Sequence, residues 1–139
     1  MLNHLEAEFP EHVSRPPHAP KALEGIRVVD FSHFIAGPLA TMILADMGAG
    51  VIKIEAPDRG DDLRRYPPVH PDLKLGAPFL WTNRNKQSVA IDLKLAAGLE
   101  IVRELITTAD VVVENFSTGV MRRLGLDYES CRKLRPEII

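Results

Sequence analysis

Cysteine is almost absent from this sequence of 139 residues, since Cys131 is the only one. One cysteine cannot form an intramolecular disulfide, and it cannot supply the several thiolates of a cysteine-based zinc site. Such sparse use of cysteine is typical of the reducing cytoplasm, which is where we expect the protein. The sequence also lacks any run of about 18 uncharged apolar residues, so it offers no candidate for a membrane-spanning helix.

An excess of positive charge is missing as well. Seventeen Lys and Arg residues stand against nineteen Asp and Glu residues, which gives a net charge of -2. A chain without net positive charge has no general attraction for nucleic acid or for an anionic membrane, so we expect neither partner. Any anion-binding site must therefore be local. The hydrophobic fraction of 45% and the length are those of one ordinary globular domain.

Residues 1–22 contain four prolines, three histidines and acidic residues, without a positively charged region followed by an apolar run. We interpret them as a disordered or loosely docked tail. His4, His12 and His18 lack the spacing of metal ligands, so a solvated tail is favoured over a weak metal site and no metal is predicted.

From Leu23 onward, short β-rich runs alternate with segments of helical period, which indicates an α/β fold with a parallel sheet flanked by helices. Residues 57–78 show neither period and are predicted to be an irregular loop. "RPEII" at residues 135–139 resembles the opening of a fifth strand, so we expect the chain to be the N-terminal part of a longer protein. The predicted strands are residues 26–32, 51–56, 88–93 and 110–116, and the predicted helices are residues 38–47, 95–109, 120–125 and 128–134.

Ligands of parallel α/β sheets bind beyond the carboxyl ends of the strands, so three loops should share one rim. These loops are residues 32–37, 57–65 and 115–119. The first contains "HFIAGP", which has no Ser, Thr or Asp beside Pro38 to cap the following helix, leaving Ala36 or Gly37 as the N-cap. The free N–H groups could bind a ligand oxygen. Equally, Gly37 could serve only to let strand and helix pack closely.

The charged motifs on this rim admit two interpretations each. "GDDLRR" is more typical of a solvated loop than of Arg64 or Arg65 closing over an anion. In "NRNK", turn formation explains the asparagines, and only the two cations are surplus. His33 has no triad or metal-ligand spacing around it, which favours a positioning or structural role over a general base.

"ENF" at residues 114–116 ends the fourth predicted strand. It places an amide and an aromatic ring on the rim, where a purine could form hydrogen bonds to Asn115 and stack on Phe116. The alternative is that Phe116 covers the core. Arg122 and Arg123 on the next helix add positive charge nearby, although paired arginines on a short helix are usually a solvated face.

Three stretches taken together resemble successive N-terminal blocks of the class III CoA-transferases, the formyl-CoA and carnitine CoA-transferase family. They are "LEGIRVVDFSHFIAGPLATMILADMGAGVIKIEAPDRGDDLR", "NRNKQSVAIDLK" and "ADVVVENFSTGVMRRLGL". Each is weak alone, but their order and spacing agree from Leu23 to Ile139. The resemblance implies that residues 23–139 are the N-terminal part of a Rossmann-like domain that is incomplete at its C-terminus.

The resemblance also implies an activity. Members move CoA between carboxylic acids, with an acyl-CoA thioester as substrate, no covalently bound cofactor and two interlocked chains in a homodimer. A catalytic aspartate attacks the donor thioester to form an aspartyl anhydride, and the released CoA thiolate then attacks the anhydride to give an aspartyl-CoA thioester and the free donor acid. That aspartate falls beyond Ile139, so we expect no catalytic residue in this chain and no activity from these residues alone.

Site residues are implied position by position. The turn after the first strand lies against the thioester end of CoA, and the "IDLK" segment contacts CoA. Asn115 and Phe116 line the CoA site, and Arg123 lies beside it. Ile35 stands where formyl-CoA transferases have glutamine, and Ala56 replaces an arginine that contacts CoA there, which argues against formyl or oxalate as substrate. His33 and Arg64 are further possible members. The implied CoA-binding residues are Phe34, Ile35, Ala36, Ile91, Asp92, Leu93, Lys94, Asn115, Phe116 and Arg123.

Two alternatives stay open. The α-methylacyl-CoA racemases share the fold, but they tend to have an Arg-Gly-Lys type of turn where this chain has "NRNK", which favours a transferase. The other alternative is a truncated product that binds CoA or a partner chain without catalysis. A dinucleotide-dependent oxidoreductase is disfavoured because no G-x-G-x-x-G motif follows the first strand.

Overall fold

The computed structural model describes residue 16 and residues 19–139, so most of the predicted tail, with His4, His12 and His18, lies outside the described residues. Strands and helices alternate along the described part, which confirms the α/β fold. The strands are β1 (Arg27–Asp30), β2 (Gly50–Glu55), β3 (Lys86–Ala90) and β4 (Val111–Val113), and the helices are α1 (Ala36–Asp46), α2 (Ala77–Thr82), α3 (Ala96–Thr107), α4 (Val120–Leu124) and α5 (Tyr128–Leu134).

All four strands run parallel in the order β3-β2-β1-β4. This is the order of the first four strands of a Rossmann sheet, in which the chain first builds one side from β1 and then returns to the other. The register places Asp30 beside Lys53 on one side and beside Val113 on the other, so the strand ends meet at one edge.

Hydrophobic side chains cover both faces of the sheet. One cluster joins Val29, Phe31 and Ile54 to Val102 and Ile106 of α3. The second cluster lies on the α1 side, where β1 and β2 pack against the end of that helix. Two of the buried acidic side chains, Asp30 and Glu55, lie at the carboxyl ends of β1 and β2.

Helix α1 begins at Ala36, with Ile35 as N-cap, rather than at Pro38 with Ala36 or Gly37 as the cap. The prediction was two residues late because Pro38 fits any position of the first turn, where its missing N–H costs no hydrogen bond. At the other end Gly48 takes a φ of 107°, and its N–H donates to the carbonyl of Ala45. A glycine in this left-handed conformation terminates the helix as the sequence predicted.

The third strand ends at Ala90, so its predicted bounds of 88–93 were wrong. Asp92 ends the extended run because its carboxylate accepts a hydrogen bond from the N–H of Lys94, 2.9 Å away, and turns the chain. The predicted irregular loop is also partly regular: residues 62–65 form a 3₁₀ turn and α2 begins at Ala77.

The backbone of Ile139 lies alongside β4. Its N–H donates to the carbonyl of Asp110 at 3.0 Å, and its carbonyl accepts from the N–H of Val112 at 2.8 Å. These two bonds are those of a parallel strand contact, as expected for the "RPEII" segment. Within residues 19–139, no helix is long and apolar enough to cross a membrane.

Candidate functional site

A cavity of about 250 Å³ opens at the carboxyl ends of β1, β2 and β3. Four segments that are distant in sequence, one after each strand, contribute to its wall, because parallel strands end at a common edge. Apolar side chains form part of the wall, and a small number of charged groups lie among them, which is the usual character of a small-molecule site. The lining residues are Phe31, Ser32, His33, Lys53, Ile54, Glu55, Ala56, Gly60, Asp61, Asp62, Ile91, Asp92, Leu93, Lys94 and Phe116.

Half of the residues named from sequence line this cavity. The lining members are His33, Ile91, Asp92, Leu93, Lys94 and Phe116. The named residues outside its wall are Phe34, Ile35, Ala36, Arg64, Asn115 and Arg123. Most of this second group still lies in the adjoining loops, whereas Arg123 is exposed on α4.

Asn115 joins the loops after β1 and β4. Its side-chain carbonyl accepts from the N–H of His33 at 2.9 Å, and its amide donates to the carbonyl of His33 at 2.8 Å. The ring of Phe116 lies 5.4 Å from the His33 ring. These contacts span the gap between β1 and β4, where the strand order reverses and where open α/β sheets bind ligands.

The turn after β1 is tightly packed. A Cβ on Gly37 would lie 2.3 Å from the Cβ of Ser32, so only glycine lets α1 approach the loop this closely. No side chain within residues 19–139 caps the first turn of α1. The glycine therefore has the packing role that the sequence left open.

Lys53 and Asp61 form a buried ion pair behind this turn. Their charged atoms are 3.0 Å apart, and each side chain is 1% exposed. The ammonium of Lys53 also donates to the carbonyl of Ser32 at 2.6 Å. Asp61 accepts from the N–H groups of Leu63 and Phe34. Segment 57–65 is thus bonded to the turn after β1.

Glu55 anchors the same segment from the end of β2. Its carboxylate accepts two bonds from Arg64 at 2.7 and 2.6 Å, one from Ser88 at 2.6 Å and one from the N–H of Asp61 at 2.9 Å. Burial alone would raise the pKa of Glu55, but these donors outweigh it and lower that pKa to about 2. The guanidinium of Arg64 also lies 4.1 Å from the centre of the Phe79 ring. Arg64 is therefore already engaged by a carboxylate and an aromatic face.

Both cations of "NRNK" have carboxylate partners. Arg84 pairs with Asp46 at the end of α1 at 2.5 Å. Lys86 lies 3.1 Å from buried Asp30 and donates to the carbonyl of Pro38 at 2.9 Å. Burial lowers the pKa of Lys86, while the charge of Asp30 opposes that change. This motif fastens the third strand to α1 and β1.

A second, larger cavity of about 540 Å³ lies on the other side of Phe116, between β4 and helices α4 and α5. Arg122 and Met121 contribute to its wall. Over residues 19–139, no group of three or more His, Cys, Asp or Glu side chains is arranged to hold a metal ion.

Sequence reasoning named neither Lys53 nor Glu55, although one signal was present. Both interrupt the otherwise apolar strand "VIKIEA" two positions apart, and such residues share one face of a strand. Charges on a buried strand require partners, so the pair marked a polar network at this edge.

An open parallel sheet in the order 3-2-1-4, with a cavity at the carboxyl ends of its strands, defines a Rossmann-like α/β protein. The sequence identifies the family within this class. A model of CoA-transferase family III matches residues 23–139, and the chain belongs to that family.

Curated relatives and solved structures agree with this family assignment. A succinate–glutarate CoA-transferase of Agrobacterium fabrum is 45% identical over 128 residues, covering 88% of this chain and 32% of the relative. Human succinyl-CoA:glutarate CoA-transferase is 42% identical over 119 residues, covering 86% and 27%. A CAIB/BAIF family protein of Brucella suis superposes with a TM-score of 0.80 at 40% identity, covering 86% of this chain and 32% of that one. The chain thus spans between 27% and 32% of the length of these relatives.

Proposed function

We propose that this chain forms part of the CoA site of an acyl-CoA transferase that moves CoA between carboxylic acids through an aspartyl-CoA thioester. The observation that carries the proposal is the cavity at the strand ends, which gathers six residues implied by the family resemblance from three separate loops. Membership of CoA-transferase family III supports the reaction class.

The walls of the cavity suit different parts of a CoA thioester. Ile91, Leu93 and Phe116 offer apolar surface to the pantetheine chain, and the ring of Phe116 is beside that of His33. Lys94 is exposed at the same cavity, where its ammonium can pair with a phosphate of CoA. Asn115 contributes by fixing the backbone of His33.

Two aspartates near the cavity do not suit the role of nucleophile. Asp30 is buried and accepts from Thr41 at 2.7 Å and from Lys86, and Asp61 is buried against Lys53. A nucleophilic carboxylate must present a free oxygen to the thioester carbon. The family resemblance aligns the nucleophilic aspartate beyond Ile139, so the proposal places it outside these 139 residues, and it includes the interlocked homodimer of the family for the complete gene product.

Calorimetric titration of the 139-residue chain with CoA tests the site. We expect binding in the wild-type chain and an affinity about fivefold lower in Lys94→Ala, which corresponds to about 1 kcal/mol for one lost exposed ion pair. Lys133→Ala removes an exposed lysine from α5 and should leave the affinity unchanged. Equal affinities of the three proteins, or no binding by the wild type, would contradict the proposed site.

Transfer chemistry is tested on the complete gene product with labelled CoA exchange from succinyl-CoA. Relatives are named for succinate, glutarate and oxalate, so these acids form the first acceptor panel. Exchange between two acids supports the transferase. Loss of an α-deuterium from a 2-methylacyl-CoA without any exchange would instead identify a racemase, and neither activity would leave a binding protein.

A further inference from the structure

We infer that Asp61, held by Lys53, is a positioning residue that sets the shape of the turn after β1, and through it the CoA site; this inference rests on the proposed function. Asp61 was expected to belong to a solvated charged loop. It is instead 4% exposed, and its carboxylate contacts the turn directly.

Asp61 accepts a hydrogen bond from Phe34, the residue of this turn that has an unusual backbone conformation. Phe34 has a φ of 65°, in the left-handed region that non-glycine residues rarely adopt. Both carboxylate oxygens of Asp61 lie 3.2 Å from the N–H of Phe34. A strained conformation persists only where surrounding groups fix it, and this bond is such a group.

Lys53 bonds to the same turn two residues before Phe34. Its ammonium bridges the carboxylate of Asp61 and the carbonyl of Ser32, so the pair bonds to the turn at two points, two residues apart. His33, whose ring lines the cavity, lies between those points. A change at Asp61 therefore reaches the cavity through the backbone.

The opposite end of this linkage is rigid. The N–H of Asp61 donates to Glu55, and the same carboxylate is bonded twice by Arg64. Asp61 is consequently held at its own backbone by β2 while its side chain holds the turn after β1. Segment 57–65 therefore connects the carboxyl end of β2 to the turn after β1 through hydrogen bonds.

Two substitutions at one position separate positioning from simple stabilisation. Asp61→Ala removes the acceptor of the Phe34 N–H, so we expect a CoA affinity about tenfold lower. The amide hydrogen of Phe34 should exchange faster with solvent. The three-bond amide coupling of Phe34, which depends on φ, should change as the residue leaves its positive φ. Asp61→Asn leaves Lys53 without its counter-charge but keeps an oxygen for Phe34, so we expect reduced stability with an affinity and coupling close to those of the wild type.

Two controls match these variants. Asp46→Asn makes the same chemical change in the exposed pair with Arg84, and Val102→Ala lowers stability from the core on α3. Both should leave CoA affinity and the Phe34 coupling unchanged. The inference is overturned if Asp61→Ala keeps the positive φ, or if Val102→Ala loses affinity to the same degree. Failure of wild-type chain to bind CoA would refute the proposed function, and the Phe34 coupling would then decide the positioning role alone.

Discussion

Replacement of Glu55 by glutamine removes the negative charge at the centre of the anchored segment while preserving the shape of the side chain. The pKa of Glu55 is lowered from an ordinary 4.5 to about 2, because Arg64, Ser88 and the N–H of Asp61 stabilise the charged form more than burial disfavours it. A pKa difference of about 2.5 corresponds to about 3 kcal/mol at a factor of 1.36 kcal/mol each. We therefore expect Glu55→Gln to lower the free energy of unfolding at pH 7 by about 3 kcal/mol.

The lowered pKa of Glu55 also determines how the stability difference between the wild type and Glu55→Gln changes with pH. A carboxyl group whose pKa is lowered by folding stabilises the folded state above its ordinary pKa, and this contribution is lost as the pH falls. The loss should take place between about pH 4.5 and pH 2. The wild type and Glu55→Gln should therefore differ in stability at pH 7 and converge toward pH 2.

Urea unfolding followed by circular dichroism at pH 7, 5, 4 and 3 measures this difference. Glu100→Gln, an exposed change on α3, serves as the control and should be neutral at every pH. A difference between wild type and Glu55→Gln that stays constant from pH 7 to pH 3 would refute the reasoning, because the charge of Glu55 would then contribute nothing to stability.

Two further substitutions test the packing and the second buried pair. Gly37→Ala places a methyl group 2.3 Å from the Cβ of Ser32, so it should cost about 1–3 kcal/mol and several degrees in thermal unfolding, whereas Gly50→Ala, with its nearest neighbour at 3.8 Å, should be tolerated. Lys86→Met leaves Asp30 buried without its counter-charge and should cost about 3–5 kcal/mol by urea unfolding, while Asp30→Asn in the same protein should recover part of that loss.

The fold was predictable because its signals are local. Apolar strands of four to six residues, a helix-terminating glycine and an amphipathic α3 can each be recognised within a short window of sequence. The rule that parallel strands share a ligand edge then brought the correct loops together. His33 and Phe116, 83 positions apart, were expected at one edge on that basis, and both line the cavity, whereas Lys94 was named only through the family resemblance.

The charged strand residues signal a polar network, but the partners within it could not be predicted, because its bonds join positions far apart. Asp61 bonds to Phe34 over 27 positions, and Lys86 bonds to Asp30 over 56. "GDDLRR" has the composition of a solvated loop, and only the folded chain shows that Asp61 is buried and that Arg64 closes on Glu55. The composition of a loop indicates only that it can be solvated. Whether its charged side chains are buried depends on which oppositely charged groups the fold places beside them.

Three ion pairs lie at the edge of the sheet that carries the cavity, and their energetics bear on what they do. Buried pairs recover the cost of leaving water only when their geometry is nearly complete, and apolar residues of similar size are often equally stabilising. Stability alone is therefore a poor reason for Lys53 with Asp61, Lys86 with Asp30, and Arg64 with Glu55. An apolar core permits many packings, whereas a charged pair with donors and acceptors on every side permits few. Each pair here also bonds to a strand end or to a loop that adjoins the cavity, so the network is best understood as fixing the geometry of that edge.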